Sequence, residues 1–301
     1  LLFFTLFGGQ NINNGARWIS IGGISFQPSE LNKLCLIIYA TAFTANAQKP
    51  DGTTRKISFL VLAPTFLSFG IIATQNLSTA LMLVVSVFSI LFIGNVPWRN
   101  FLKSLAYFSI GAVALLGAFW LYWGPNSTMT QRFTTWGSRL ETRDERPQDP
   151  RDFVITDKNR QVTHAHIAFA RSGVIGRGPG RSVQRDYLSA AYSDFIFAII
   201  GEELGMVGMS VLILLYAMLL FCILRIACHA PDRYGALLCG GVAVHILLHI
   251  VMHVAVVTGL MPNTGVTLPF ISSGGTSLVS FMGEIGLVLA VSRGMRPEQL
   301  T

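Results

Sequence analysis

Residues 191–205 read AYSDFIFAIIGEELG, an apolar run that holds three carboxylates, Asp194, Glu202 and Glu203. Ionisable groups are costly inside such a run and mark functional or tightly partnered positions. Asp194 stands at the front, where a carboxylate can serve as a general base or as the cap of the helix that follows. Glu202 falls about 12 Å further along the same helix. It and Glu203 read as contacts to neighbouring elements that fix this helix. His245, His249 and His253 recur every fourth residue and so share one helical face. That spacing lacks the acidic partner of zinc motifs. The stripe, His249 and His253 above all, therefore reads as interior hydrogen-bonding groups, and the identity of any bound metal stays unknown.

Further chemistry-bearing residues gather in four irregular polar stretches. NNGARWISIGGISFQPSELNKL (13–34) offers Arg17, Trp18, Gln27, Ser29, Glu30 and Lys33. Its proline precedes a helix that Ser29 and Glu30 could cap. QNLST (75–79) forms a kink between two apolar segments. The long polar segment before Asp194 brings Arg132, Gln161, Arg171, Arg177, Ser182 and Gln184. MPNTGVTLPFISSGGTSL (261–278) is uncharged and contributes Thr264, Ser272, Ser273, Gly274 and Gly275. Irregular polar backbone beside a bilayer is tolerated only when buried in protein or lining a wet cavity. The four stretches therefore predict one shared cavity open to a single side. The bland readings stay beside this one: Arg17 and Trp18 as an interfacial anchor pair, and 272–275 as a small-residue surface for close packing.

The elements that must carry these groups are apolar helices. The 301 residues are 51% hydrophobic and 12% charged, against about 25% charged in soluble domains, and the mean hydropathy is positive. The composition predicts an all-α, polytopic membrane bundle, a single domain over 1–301. Spans are expected near 31–47, 57–74, 78–94, 102–123, 195–224, 235–258 and 277–292. The net charge of +7 fits basic cytoplasmic loops rather than nucleic acid, for which no motif is present. Lys and Arg concentrate in 48–56, 95–104, 225–233 and the tail, which places those segments and the C-terminus inside. Residues 124–190 then lie outside, and loops of that length escape the charge rule. The first half, around RLETRDERPQDPRD, reads as solvated. The second half, HIAFARSGVIGRGPGRSVQ, reads as an ordered cover and a possible anion-binding surface. Cys35, Cys222, Cys228 and Cys239 have no metal-ligand spacing and are expected to be free buried thiols.

GARWISIGGISFQPSELNKL, SGVIGRGPGRSVQ, SDFIFAIIGEELGMVG and MPNTGVTLPFISSGGTSL resemble, in order, the signature segments of the SEDS family, the FtsW and RodA proteins of bacterial wall synthesis. The resemblance covers essentially the whole chain. It implies a ten-helix fold of which the first two helices and part of the third would precede Leu1. It also implies an enzyme of the bacterial cytoplasmic (inner) membrane, a peptidoglycan glycosyltransferase. Such an enzyme polymerises lipid II, the undecaprenyl-pyrophosphate-linked disaccharide peptide, and works with a class B penicillin-binding protein and other divisome proteins. The family aspartate of the DFIFA context falls on Asp194, and Arg17, Arg132, Arg171 and Arg177 are candidate cations for the leaving group. No cofactor is certain; a divalent cation, Mg2+ or Mn2+, is left open.

Two segments depart from the family pattern. QNLSTA replaces QPDxGTA, and RDYLSAAYSDF is one residue short and lacks the usual proline, glutamate and histidine. NLSTA and GNVPWRN are closer to division-type FtsW proteins of the Bacteroidetes than to RodA. Two rival roles remain: a lipid II flippase, which would need polar groups on the cytoplasmic half of its helices, and a non-catalytic scaffold for the transpeptidase. The charge pattern yields a direct test of orientation. A cysteine at position 52 is expected to resist a membrane-impermeant thiol reagent in intact cells and to react after lysis; labelling without lysis would reverse the assignment.

Overall fold

The computed structural model describes residues 2, 10–12, 15–21, 24–48, 58–123, 160–188, 191–261 and 264–295. Arg132 and the RLETRDERPQDPRD segment lie outside them. Two compact units divide the chain: residues 1–118, 219–248 and 275–301 in one, and 119–218 and 249–274 in the other.

The first unit holds α1 (Pro28–Ala47), α2 (Ser58–Ala73), α3 (Leu77–Ile93) and α4 (Trp98–Trp123). Their bounds follow the expected spans. Its centre is aromatic: Phe66, Phe69 and Phe88 each meet Phe108 edge-on, with centroids 5.7, 5.3 and 5.8 Å apart. Edge-to-face contacts of this kind add to the area they bury. Pro28 opens α1 at its first position, which removes an N–H that would lack a helical partner. The cap position is Gln27, and Ser29 and Glu30 sit inside the first turn, so neither caps the helix as its sequence suggested. Asn76 of the QNLST stretch caps α3, accepting from the Ser78 and Thr79 amides at 3.1 and 3.4 Å.

The all-α expectation also needs one addition. Residues 10–26 include three short antiparallel strands, β1 (Gln10–Ile12), β2 (Gly15–Ile21) and β3 (Ile24–Phe26). Trp18 pairs with Gln10, and Ile19 with Phe26. The signal for β2 and β3 was available: RWISI is rich in β-branched and aromatic residues, and Gly-Gly separates it from ISF, a hairpin signature. All four cysteines are free, but only Cys239 is buried; Cys35, Cys222 and Cys228 lie on the protein surface. An apolar helix has no need to turn such residues inward when lipid can cover them.

Among the described residues, three helices are long and apolar enough to cross a membrane: α6 (Ile196–His229), α7 (Arg233–Val257) and α8 (Gly275–Arg293). The shorter Leu60–Ala73 and Leu77–Ile93 are apolar as well.

The second unit is built on a break in α6. Gly205 has φ 69° and ψ −165°, which interrupts the helix. The sequence pattern alone predicts one uninterrupted span here; the structure corrects that to two collinear-in-sequence pieces, 196–204 and 206–229. A break inside a membrane helix orphans carbonyls above it and amides below it. The segment following α5 (Arg160–Ser172) answers both sets. The Arg177 and Gly178 amides donate to the Glu202 and Glu203 carbonyls at 3.0 and 2.8 Å. The Gly173 and Val174 carbonyls accept from the Met206 and Val207 amides, each at 3.1 Å. This exchange needs backbones in near contact. A Cβ on Gly176 would stand 2.4 Å from the Glu203 carbonyl oxygen, and one on Gly205 would stand 2.4 Å from the Gly176 nitrogen.

Gly173 also has positive φ, 59°, but a Cβ there would meet nothing within 4 Å. Gly173→Ala is therefore expected to cost about 1–2 kcal/mol of left-handed strain. Gly176→Ala should cost more, because it adds a collision and threatens four hydrogen bonds, each worth about 0.5–1.5 kcal/mol. Thermal unfolding of the detergent-solubilised variants checks the order; equal losses would mean that the close approach is unimportant.

Candidate functional site

Asp194 is set by backbone on two sides. The 196–204 helix begins just after it, and the Phe195 carbonyl accepts from the Ala198 and Ile199 amides at 2.9 and 3.3 Å. The cap position therefore belongs to Phe195, with Asp194 one residue outside the helix. Ser272 Oγ donates to the Ser193 carbonyl at 2.6 Å and accepts from the Leu268 amide at 2.8 Å. The Ser273 amide donates to the Tyr192 carbonyl at 2.8 Å. These bonds pin the 191–194 turn to the 264–274 segment. In that segment Gly265 has φ 64°, and a Cβ there would lie 3.5 Å from Asp194 Oδ2. The carboxylate is half-buried. Its chain neighbours Tyr192 and Ser193 line a cleft of about 330 Å³, together with Arg185, Asp186 and Ser273.

Glu202 is fully buried and faces residues 182–184. It accepts from Ser182 Oγ at 2.6 Å, from the Gln184 amide at 3.1 Å and from the Val183 amide at 3.3 Å. Arg177 Nη1 stands 3.8 Å away with its side chain 41% exposed. Ser182 and Gln184 are thus turned inward to an anchor. Gln184 Oε1 also accepts from His164 Nδ1 at 2.7 Å, and His164 stacks on Tyr187 with centroids 5.2 Å apart. Gln161 lies half-buried in the first turn of α5, and Arg171 is exposed in its last. Glu203 is half-buried.

The histidines divide into two roles. His249 Nδ1 and His253 Nδ1 donate to the Thr267 and Val266 carbonyls at 3.2 and 2.8 Å, which holds the same irregular 264–268 backbone that faces Asp194. Thr264 is buried in it. His245 instead belongs to the first unit. Its Nδ1 lies 2.8 Å from Glu284 Oε1, and both side chains are buried. Glu284 was missed in the sequence because it stands alone in an apolar helix, with no motif around it. Among the described residues no three His, Cys, Asp or Glu side chains gather to hold a metal ion.

The remaining candidates fall in the first unit. Glu30 Oε1 and Lys33 Nζ pair at 2.9 Å and are both buried. Ser29 Oγ accepts from Gln27 Nε2 at 3.1 Å. The Gln27 amide donates to Thr276 Oγ1, next to Gly275, at 3.2 Å, and Ser280 Oγ donates to the Glu30 carbonyl at 3.2 Å. Gly275 opens α8, and the Gly274 amide, in the second unit, donates to the Ser272 carbonyl at 2.9 Å. Arg17 and Trp18 lie on β2.

A family model described as a cell cycle protein, that of FtsW, RodA and SpoVE, matches residues 1–296. The chain belongs to the FtsW/RodA/SpoVE family. Relatives of the family that it resembles include the stage V sporulation protein E of Bacillus subtilis, 33% identical over 95% of this chain and 74% of that protein. The probable peptidoglycan glycosyltransferase FtsW of Taylorella equigenitalis is 33% identical over 96% of this chain and 77% of its own. Among solved structures, the rod shape determining protein RodA of Thermus thermophilus aligns with a TM-score of 0.63 at 26% identity, covering 98% of this chain and 74% of that one. A chain of a peptidoglycan synthase complex, described for its coordination of polymerization and crosslinking, aligns with a TM-score of 0.68 at 27% identity, over 99% and 79%. Membership and the apolar helices make this a multi-pass membrane protein of the SEDS fold.

The histidine geometry separates two substitutions within this family fold. Asparagine at 253 sets an amide N–H close to where Nδ1 stood, so His253→Asn is expected to retain most of the stability. His253→Ala leaves a buried carbonyl unpaired and is expected to cost about 1–3 kcal/mol. Equal unfolding temperatures for the two variants would show that the Val266 bond contributes nothing.

Proposed function

We propose that this chain is a peptidoglycan glycosyltransferase that polymerises lipid II, with Asp194 as the general base. The observation that carries the reading is a half-buried carboxylate next in the chain to Ser193, which Ser272 pins and which lines a polar cleft that also holds a guanidinium. The names of the FtsW relatives support the reaction class. In the reaction a sugar hydroxyl oxygen of the acceptor attacks the anomeric carbon of the donor. The bond from that carbon to the lipid diphosphate breaks, and its electron pair leaves with the diphosphate. Asp194 takes the hydroxyl proton as the new glycosidic bond forms and later releases it to water. A base acts only within hydrogen-bond reach of its proton, which makes the pinning of the 191–194 turn part of the chemistry. The residues described do not fit a metal site made wholly by the protein, so no step is routed through a divalent cation.

The proposal extends to setting. The protein works in the bacterial cytoplasmic membrane with its C-terminus inside, alongside a class B penicillin-binding protein that crosslinks the product. The NLSTA and GNVPWRN segments favour the division-type role and the Bacteroidetes likeness.

One observation favours the flippase as a second reading. His245 and Glu284 lie near the midpoints of α7 and α8, and buried ionisable groups at that depth often line transport paths. A fluorescent lipid II translocation assay in vesicles separates the two: Glu284→Gln should leave polymerisation intact, and abolished translocation in that variant would establish the transporter.

Asp194→Asn tests the enzyme. The amide keeps the shape, so the variant is expected to fold and to bind its partner while polymerising lipid II about 10²- to 10⁴-fold more slowly. Asp194→Glu should recover little, since sites tolerate only ~0.5 Å of displacement. A gel assay of glycan strands from the full-length protein with its partner reads both. Polymerisation by Asp194→Asn at the parent rate would leave Asp194 a structural residue and favour the scaffold.

A further inference from the structure

The cleft lined by Tyr192 and Ser193 holds a cation that the motif residues do not include. Arg185 lies on a 3-10 turn, Gln184–Asp186, and none of the signature glycines or serines points to it in the sequence. Its backbone is rooted deeply. The Arg185 amide donates to Ser182 Oγ at 3.2 Å, and that hydroxyl donates in turn to the buried Glu202. Its guanidinium is held by Asp186, whose Oδ1 lies 3.2 Å from Nε, and Tyr192 lines the same cleft. Tyr192 is itself fixed through its carbonyl to Ser273, two residues before Asp194. The cation and the carboxylate are thus tied to one backbone frame.

We propose that Arg185 is the subsite for the diphosphate of a prenyl-linked substrate, placed to take the negative charge that builds on the leaving group.

The chemistry fits on three counts. A guanidinium carries five N–H donors in a planar fork suited to phosphate oxygens; Asp186 engages one of them. The side chain is 34% exposed, so a ligand in the cleft can reach it. Asp186 is 73% exposed, and an exposed ion pair binds weakly, so an arriving diphosphate can displace that carboxylate. The hydrogen bond to Asp186 raises the guanidinium's pKa above its ordinary value. Ser193 and Ser273 add hydroxyls to the same lining. Arg177, the cation that the family motif suggests, instead lies beside Glu202, and Arg171 is exposed on the last turn of α5. This inference rests on the glycosyltransferase reading for the identity of the ligand but not for its test.

The test is a binding measurement that needs no turnover. The full-length protein in detergent is titrated with undecaprenyl diphosphate, with undecaprenol and with inorganic pyrophosphate. Arg185→Gln is expected to weaken undecaprenyl diphosphate about 10- to 100-fold, the loss of a charged hydrogen-bond donor set, and to leave undecaprenol within about threefold. Arg185→Lys should fall between, since an ammonium keeps the charge without the fork. Asp194→Asn should bind the diphosphate like the parent, which separates this proposal from the general-base assignment: either can fail alone. Parent-like binding of the diphosphate by Arg185→Gln overturns the subsite. Parallel loss of undecaprenol in Arg185→Gln would mean a structural role and overturns it too. Pyrophosphate binding as tight as that of the prenyl diphosphate would make this a free-phosphate site and overturn the lipid assignment.

Discussion

The exchange of backbone hydrogen bonds at the Gly205 break holds the second unit together. A membrane helix that stops partway leaves carbonyls and amides with no water to satisfy them. Here the chain from Gly173 to Gly178 returns to the gap and completes both ends, two bonds to each side. Because the partners are main-chain groups, the join requires near contact, and two glycines supply it. Once made, it fixes the 196–204 helix against residues 173–178. Glu202 then fastens that same segment a second time through Ser182, Val183 and Gln184.

The candidate site inherits its rigidity from that join. Asp194 precedes the shorter helix, and Arg185 follows the stretch that Glu202 anchors, so both residues are referred to one frame. The opposite wall, 264–274, has no regular structure of its own. Its carbonyls are taken up by His249 and His253, and its two serines hold the turn before Asp194. Tyr216 Oη donates to the Pro269 carbonyl of the same wall. Phe270 has φ 63°, a left-handed conformation that a bulky residue adopts only when its surroundings impose it. Polar side chains from membrane helices thus do the work that water would do in a soluble loop.

Buried charge in the first unit follows a related rule. Glu30 with Lys33, and His245 with Glu284, stand as close pairs in low-exposure surroundings. A pair of this kind is weak evidence for net stability, but removing one member leaves the other uncompensated and is costly. Their presence sets limits on which helices can separate without exposing an unpaired charge.

What the sequence determined by itself was the set of elements and their chemistry. Apolar length marked the helical spans, the ordered motifs marked the family, and Asp194 at the head of DFIFA stood out because a carboxylate in an apolar run is conspicuous. Two of the three strands were legible too, in RWISI-GG-ISF, through β-branched and aromatic residues and a glycine turn. The tertiary structure decided matters in which sequence-distant groups meet. Gly205 reads as an ordinary glycine in a long apolar helix until the segment from 173 to 178 is seen to occupy the break. Ser182, Gln184, Ser272 and Ser273 look equally suited to sugar binding, and only the fold turns the first two toward Glu202 and uses the second pair to brace the 191–194 turn. Arg185 and Glu284 had no motif to announce them. One became visible through the cleft it lines and the other through the histidine it faces. The reason is general: hydropathy and local pattern depend on residues near in sequence, whereas the satisfaction of a buried polar group depends on whatever the fold brings within 3 Å of it.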